Sequence, residues 1–116
     1  MPRDSIRAQL MKGTTPYLVL AVLRDGEAYG YDIVRRIRDR SGGEFLTSEG
    51  ALYPALHRLE ADGALTATWR AGEGGPRRRW YAITEAGMTA LAGHEQEWAT
   101  FSRAVALVGR REESGV

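Results

Sequence analysis

The chain has 116 residues, no cysteine, and a formal charge of +1 from 16 basic and 15 acidic side chains. Such a length suits one domain with a modest core, and the lack of cysteine excludes disulfides and thiolate metal sites and fits a reducing cytoplasm. So small a net charge exerts no global pull on a polyanion, so nucleic-acid binding would require arginine gathered locally.

Residues 5–12 read as a short leading helix, partly apolar at Ile6, Leu10 and Met11, and broken by Gly13 and Thr14. Nothing in MPRDSIRAQLMKG resembles the apolar stretch of a secretion signal, and no apolar run is long enough to cross a bilayer. Thr15 is expected to cap a second helix, with Pro16 at the first helical position, where its missing N–H costs nothing. Residues 17–23 are nearly all apolar and stop at Asp25–Gly26, which predicts a helix buried on most sides, the central rod of the core. Residues 28–40, AYGYDIVRRIRDR, predict the next helix. Ile33, Val34 and Ile37 face inward, Tyr31, Arg35 and Arg38 form an outer stripe, and Asp32 can pair with Arg36 one turn on. Gly42–Gly43 lets the chain reverse between Ser41 and Leu46.

The stretch TSEGALYPALHRLEADG, residues 47–63, organises the rest. Ser48 is a good N-cap, because its hydroxyl can accept an unpaired first-turn N–H, and Gly63 suits a helix stop. Leu52, Ala55, Leu56 and Leu59 make one apolar stripe. The opposite face carries Gly50, Pro54, His57 and Ala61, flanked by Tyr53 and Arg58. It is small and uncharged at its centre, so it could lie close against another surface, and a major groove admits one α-helix. Pro54 removes an N–H and crowds the preceding turn, which predicts distortion between Ser48 and Tyr53.

Leu65, Ala67 and Trp69 then alternate with Thr66, Thr68 and Arg70, which is strand periodicity. GEGGP at 72–76 reads as a turn, and Arg77, Arg78 and Arg79 lead into a second strand, WYAIT. Three cations on a hairpin tip repel one another unless a polyanion or carboxylates receive them. A capped helix followed by a basic hairpin suggests a winged helix-turn-helix, a mainly α fold with a small β-hairpin. Thr84 caps a last helix to about Val108, whose Met88, Leu91, Trp98, Phe101, Val105 and Val108 recur at threes and fours. One small domain cannot bury so long a stripe, so a second copy is expected to cover it. Trp98 is also a candidate for lining a cavity for a flat ligand between protomers. The expected division is a DNA-binding domain over 1–84, a dimerisation helix over 85–110 and a frayed tail over 111–116.

In order and with ordinary spacing, TPYLVLAVLRDGEAYGYDIVRRI, TSEGALYPALHRLEADGAL and GGPRRRWYAITEAG resemble the PadR family of bacterial transcriptional regulators over residues 15–87. The more specific parts are Tyr29–Gly30–Tyr31, SEGALYPAL from Ser48, and Arg78-Arg79-Trp80-Tyr81 leading to Thr84. The resemblance implies a winged helix-turn-helix homodimer on a palindromic operator, usually a repressor, released by a small aromatic or hydrophobic effector. Arg77 stands where proline is frequent, Trp80–Tyr81 where two tyrosines are common, and Ala82 where a basic residue is frequent.

Candidate DNA-facing residues are therefore Tyr31, Arg35, Arg38, Ser48, Tyr53, His57, Arg58, Arg77, Arg78 and Arg79. Glu49 and Glu60 repel phosphate and are better suited to positioning arginines or capping backbone. Catalysis finds little support: His57 and His94 are the only histidines, on separate helices, and no phosphate-binding glycine fingerprint follows a strand. Neither a cofactor nor a metal is expected. The alternative to a DNA-binding regulator is a winged interaction or ligand-binding module that does not touch DNA.

Overall fold

A computed structural model describes residues 3–111 apart from 12 and 73, with side chains from Ile6 onward. The described residues form α1 (Arg3–Met11), α2 (Thr15–Leu23), β1 (Ala28–Tyr29), α3 (Gly30–Arg40), α4 (Glu49–Ala61), β2 (Leu65–Ala71), β3 (Arg77–Ile83) and α5 (Glu85–Gly109). The last residue of the expected leading helix, Lys12, and residues 112–116 of the expected frayed tail lie outside the described residues.

α2 is the central rod, with Val19, Leu20, Val22 and Leu23 all buried. Onto it pack Ile33 and Ile37 of α3, Leu52, Leu56 and Leu59 of α4, Leu65 and Tyr81 of the strands, and Leu91 of α5, in one continuous cluster. Truncating a fully buried member such as Leu56 to alanine would cost about 2–5 kcal/mol, the transfer term plus the cavity left behind. No helix among the described residues is long and apolar enough to cross a membrane.

Several local expectations change. Thr14, not Thr15, is the N-cap of α2, and its hydroxyl donates to the Leu10 carbonyl (3.3 Å) rather than capping α2. The helix expected from residue 28 starts at Gly30, because Ala28–Tyr29 pair antiparallel with Tyr81 and Trp80 of β3. The expected hairpin is thus part of a three-stranded sheet of order β1-β3-β2. Two residues are too few to display alternation, which hides such a strand in the sequence. Asp32 takes Arg35 at 2.8 Å instead of Arg36, whose guanidinium donates to the Gly26 carbonyl at 3.1 Å. α4 runs through Pro54 as a helix from Glu49 to Ala61.

The joint between α4 and α5 is tight. The Thr84 N–H donates to the Ala64 carbonyl (3.0 Å), and its hydroxyl donates to the Gly63 carbonyl (2.6 Å) while accepting from the Gly87 N–H (3.0 Å). At Gly87 a Cβ would overlap the Ala64 carbonyl oxygen and the Ile83 side chain, so only glycine permits this approach. At 1.5 Å per residue the 25-residue α5 is about 37 Å long and reaches well past the core. The molecule measures 69 × 32 × 21 Å.

Candidate nucleic-acid interface

α3 and α4 are joined by a turn in which Gly42 and Gly43 both adopt positive φ (65° and 84°). The Ser41 hydroxyl tightens that turn by donating to the Arg38 carbonyl (3.0 Å) and accepting from the Phe45 N–H (3.0 Å). From α1, Arg7 braces it through the Glu44 carboxylate (2.8 Å) and carbonyl (3.2 Å). Ser48 caps α4 as expected, its hydroxyl accepting the Ala51 N–H at 3.1 Å. Burying Leu52, Leu56 and Leu59 turns Gly50, Tyr53, Pro54, His57, Arg58 and Ala61 outward, and all six are exposed.

Across from this face stands the hairpin. Arg77, Arg78 and Arg79 are not on its tip but within β3, opposite Ala71, Arg70 and Trp69 of β2. The tip is the turn between the strands, where Gly74 takes φ 66°. Strand alternation divides the three arginines between two faces. Arg77 and Arg79 lie over the Trp69 ring, at 5.9 and 5.5 Å, whereas Arg78, on the other face of the strand, lies over Tyr29 at 4.5 Å, and Arg78 and Tyr29 both border the cleft between hairpin and α4 at its edge. That outer face continues as Tyr29 edge-on to Trp80 (5.1 Å) and Arg70 over Trp80 (5.1 Å). Arg70 is itself held at 2.6 and 2.8 Å by both carboxylate oxygens of Glu27. Arg79 also makes an ion pair, with Glu60 of α4 at 2.9 Å.

Between α4, the start of α3 and the hairpin lies a cleft of about 1000 Å³. Tyr31, Tyr53, His57, Arg77, Arg78 and Arg79 all line it, so six of the ten candidates converge there. Tyr53 and His57 face each other at 5.8 Å between ring centroids. The other four do not line the cleft. Arg35 and Arg38 are exposed on α3 and engaged by Asp32 (2.8 Å) and Asp39 (3.1 Å), Ser48 is occupied as a cap, and Arg58 is exposed elsewhere on α4. Glu49, exposed at the start of α4, also lines the cleft, its carboxylate against Gly30, where a Cβ would meet Oε2 at 3.3 Å.

Sequence reasoning missed Trp69. Alternation places it on the core-facing side of β2, but the strand outruns the core there and the ring is 54% exposed in the cleft wall. The signal available was three arginines directly after the turn, since antiparallel pairing must set one of them against this tryptophan. Deeper in the cleft, the Tyr81 hydroxyl is buried without a hydrogen-bond partner. Burial pushes its pKa up, with the Arg79 guanidinium opposing the shift.

α5 carries a row of exposed apolar side chains. Trp98, Phe101, Val105, Leu107 and Val108 of α5 are exposed, together with Met88. Leu91, expected in the same seam, is instead 1% exposed in the core of its own chain, because the first turns of α5 still lie on the domain. Trp98 borders a cavity of about 530 Å³ with Ile6, Leu10 and Met11 of α1, and with Phe45. One turn earlier on the same helix, His94 stacks on Tyr17 of α2 at 4.5 Å.

Comparison with known proteins agrees with this architecture. The family described as "Transcriptional regulator PadR-like family" matches residues 19–93. A transcriptional regulator of Mycobacterium tuberculosis is 37% identical over 91 residues, which is 78% of this chain and 80% of the relative. A crystal structure of a PadR family transcriptional regulator from Eggerthella lenta superposes with a TM-score of 0.82 at 30% identity, over 94% of this chain and 93% of the other. Bacillus subtilis PadR, solved in complex with operator DNA, has a TM-score of 0.61 at 27% identity, over 67% of this chain and 44% of that one.

Proposed function

Because the chain belongs to the PadR-like family of transcriptional regulators, which are not enzymes, we propose that it binds double-stranded operator DNA as a homodimer in the cytoplasm. The observation that carries this reading is the cleft. It gathers Tyr31, Tyr53, His57, Arg77 and Arg78 between an exposed helix face and a basic hairpin. α4 enters the major groove, with Tyr53 and His57 nearest the bases, while Tyr31 and the two hairpin arginines follow phosphates. Arg35, Arg38 and Arg58 serve as outlying phosphate contacts, and the Ser48 cap places a helix N-terminus where an anion is favoured. The likeness to a protein solved with its operator supports the same geometry.

The exposed α5 stripe supports a two-fold dimer over residues 85–110, appended to a DNA-binding domain over 1–84. A two-fold dimer matches a palindromic operator, and on this reading the protein acts as a repressor by occupying it. The apolar cavity at Trp98, bordered by α1 and α5, suits a small aromatic or hydrophobic effector that releases the protein from DNA.

Salt dependence tests the central claim. Each phosphate contact contributes about 0.9 to the slope of log affinity against log salt. Arg77→Ala with Arg78→Ala should therefore flatten that slope by up to about 3.6 for a dimer with two wings, on operator and random DNA alike. An unchanged slope in a folded variant would favour an interaction module that does not touch DNA.

A further inference from the structure

Arg79 differs from its two neighbours. Its Nη2 donates to both oxygens of Glu60, at 3.2 and 2.9 Å. The two side chains are 29% and 32% exposed, whereas both partners of the Arg38–Asp39 and Arg70–Glu27 pairs are at least 44% exposed. The hydrogen bond to Glu60 raises the guanidinium pKa, against the cost of desolvation. Glu60 belongs to the last turn of α4, one turn beyond His57, while Arg79 is paired across the hairpin with Trp69 and lies over its ring. One contact thus connects the exposed helix to both strands facing it. Among the described residues it is the one ion pair between α4 and the hairpin.

The hairpin needs such a tether. Beyond Ala67, every residue of β2 is exposed, so the outer half of the wing has no core to fix its distance from α4. Strand pairing sets the shape of a hairpin but not its tilt. Yet the cleft must match the spacing between a major groove and the neighbouring phosphates, a fixed dimension of the duplex. We propose that Glu60 and Arg79 are positioning residues that hold the wing at its working distance from α4, and that Arg79 does not contact phosphate. This rests on the DNA-binding reading of the cleft.

The sign of one substitution separates this from the simpler view that Glu60 is an acidic group repelling phosphate. Glu60→Gln keeps the side-chain shape and removes the charge. If Glu60 only repels, operator affinity should rise. If it positions the wing, affinity should fall by roughly two- to fivefold, the range of a partly exposed ion pair, with the salt slope unchanged. Arg79→Ala should show the same pattern, whereas Arg77→Ala should flatten the slope. The exchanged pair Glu60→Arg with Arg79→Glu should recover most of the lost affinity.

A readout without DNA separates failure of this proposal from failure of the reading beneath it. In the free protein, amide hydrogen exchange at residues 66–80 should quicken in Glu60→Gln, while α2 and the first turns of α5 keep their protection. Unchanged exchange at the wing overturns the tether whatever the DNA result. Higher operator affinity in Glu60→Gln, or a slope flattened by Arg79→Ala as much as by Arg77→Ala, overturns the positioning role. Wild-type protein that binds no DNA at low salt sinks the DNA reading, while the exchange experiment still decides the tether.

Discussion

α4 and α5 begin from the same kind of sequence, an apolar stripe at helical spacing behind a hydroxyl cap, and end in opposite situations. α4 spends its stripe inside the chain: Leu52, Leu56 and Leu59 are buried, and the face left over is small, aromatic and polar. α5 buries Gly87 and Leu91 near its start and then carries Trp98, Phe101, Val105 and Val108 out into solvent. The difference shows what each surface suits. A face of glycine, proline, tyrosine and histidine loses little in water and can approach a polar groove. A row of tryptophan, phenylalanine and valine gains by leaving water, at roughly 25 cal/mol per Å². The tight Thr84–Gly87 joint holds the two surfaces in fixed relation, so pairing through α5 would also set the spacing of two α4 helices.

Breaking the apolar half should have the largest effect. Trp98→Lys with Phe101→Lys should give a folded monomer, because both side chains are exposed and neither belongs to the core. Operator affinity should then drop by about 10²–10⁴-fold as two linked half-site contacts become one. Analytical ultracentrifugation and a binding titration on the same sample check both. A wild-type protein that is a stable monomer at micromolar concentration would remove the contrast drawn between the two helices.

The polar half responds differently to the same kind of insult. Tyr53 is 42% exposed on the outer face of α4 and faces the cleft. Tyr53→Ala should weaken operator binding by roughly 1–3 kcal/mol while leaving the melting temperature in place. If the melting temperature falls first, the ring supports the fold and α4 is not the reading surface.

Much of this division was legible in the sequence, for identifiable reasons. The α4 stripe, its Ser48 cap and the buried α2 rod follow from local periodicity and capping chemistry, and local signals survive folding. What was illegible depends on distant partners. Leu91 reads as part of the exposed seam because periodicity cannot say where the domain beneath a helix ends. β1 is two residues long and exists only through Tyr81 and Trp80, half the chain away. Arg77–Arg79 read as a charged tip because a turn's composition does not reveal how far pairing extends towards it. Whether Glu60 would meet Arg79 depends on the tilt of the hairpin, which no spacing encodes.

The smallest effect concerns the outer face of the wing, where Glu27 holds Arg70 against Trp80. The hydrogen bond from Arg70 holds the Glu27 carboxyl below its ordinary value of 4.5, aided by the Coulombic attraction and against the cost of desolvation. A carboxyl whose pKa is depressed by folding binds fewer protons in the native state than in the unfolded one. It therefore contributes stability above the unfolded pKa and loses it as pH falls through the folded value. Wild-type protein should loosen at the wing in acid below about pH 4.5, and Glu27→Gln should lack that component while keeping the rest of the acid transition. The pair is open to solvent, so the effect should be modest and should shrink further in high salt. Amide exchange across β2 and β3 between about pH 3 and pH 6, corrected for the intrinsic pH dependence, measures it. Parallel curves for wild type and Glu27→Gln would mean that strand pairing alone holds the outer face. Among the described residues the cleft-side tether at Glu60 would then be the only ionic support of the wing that matters.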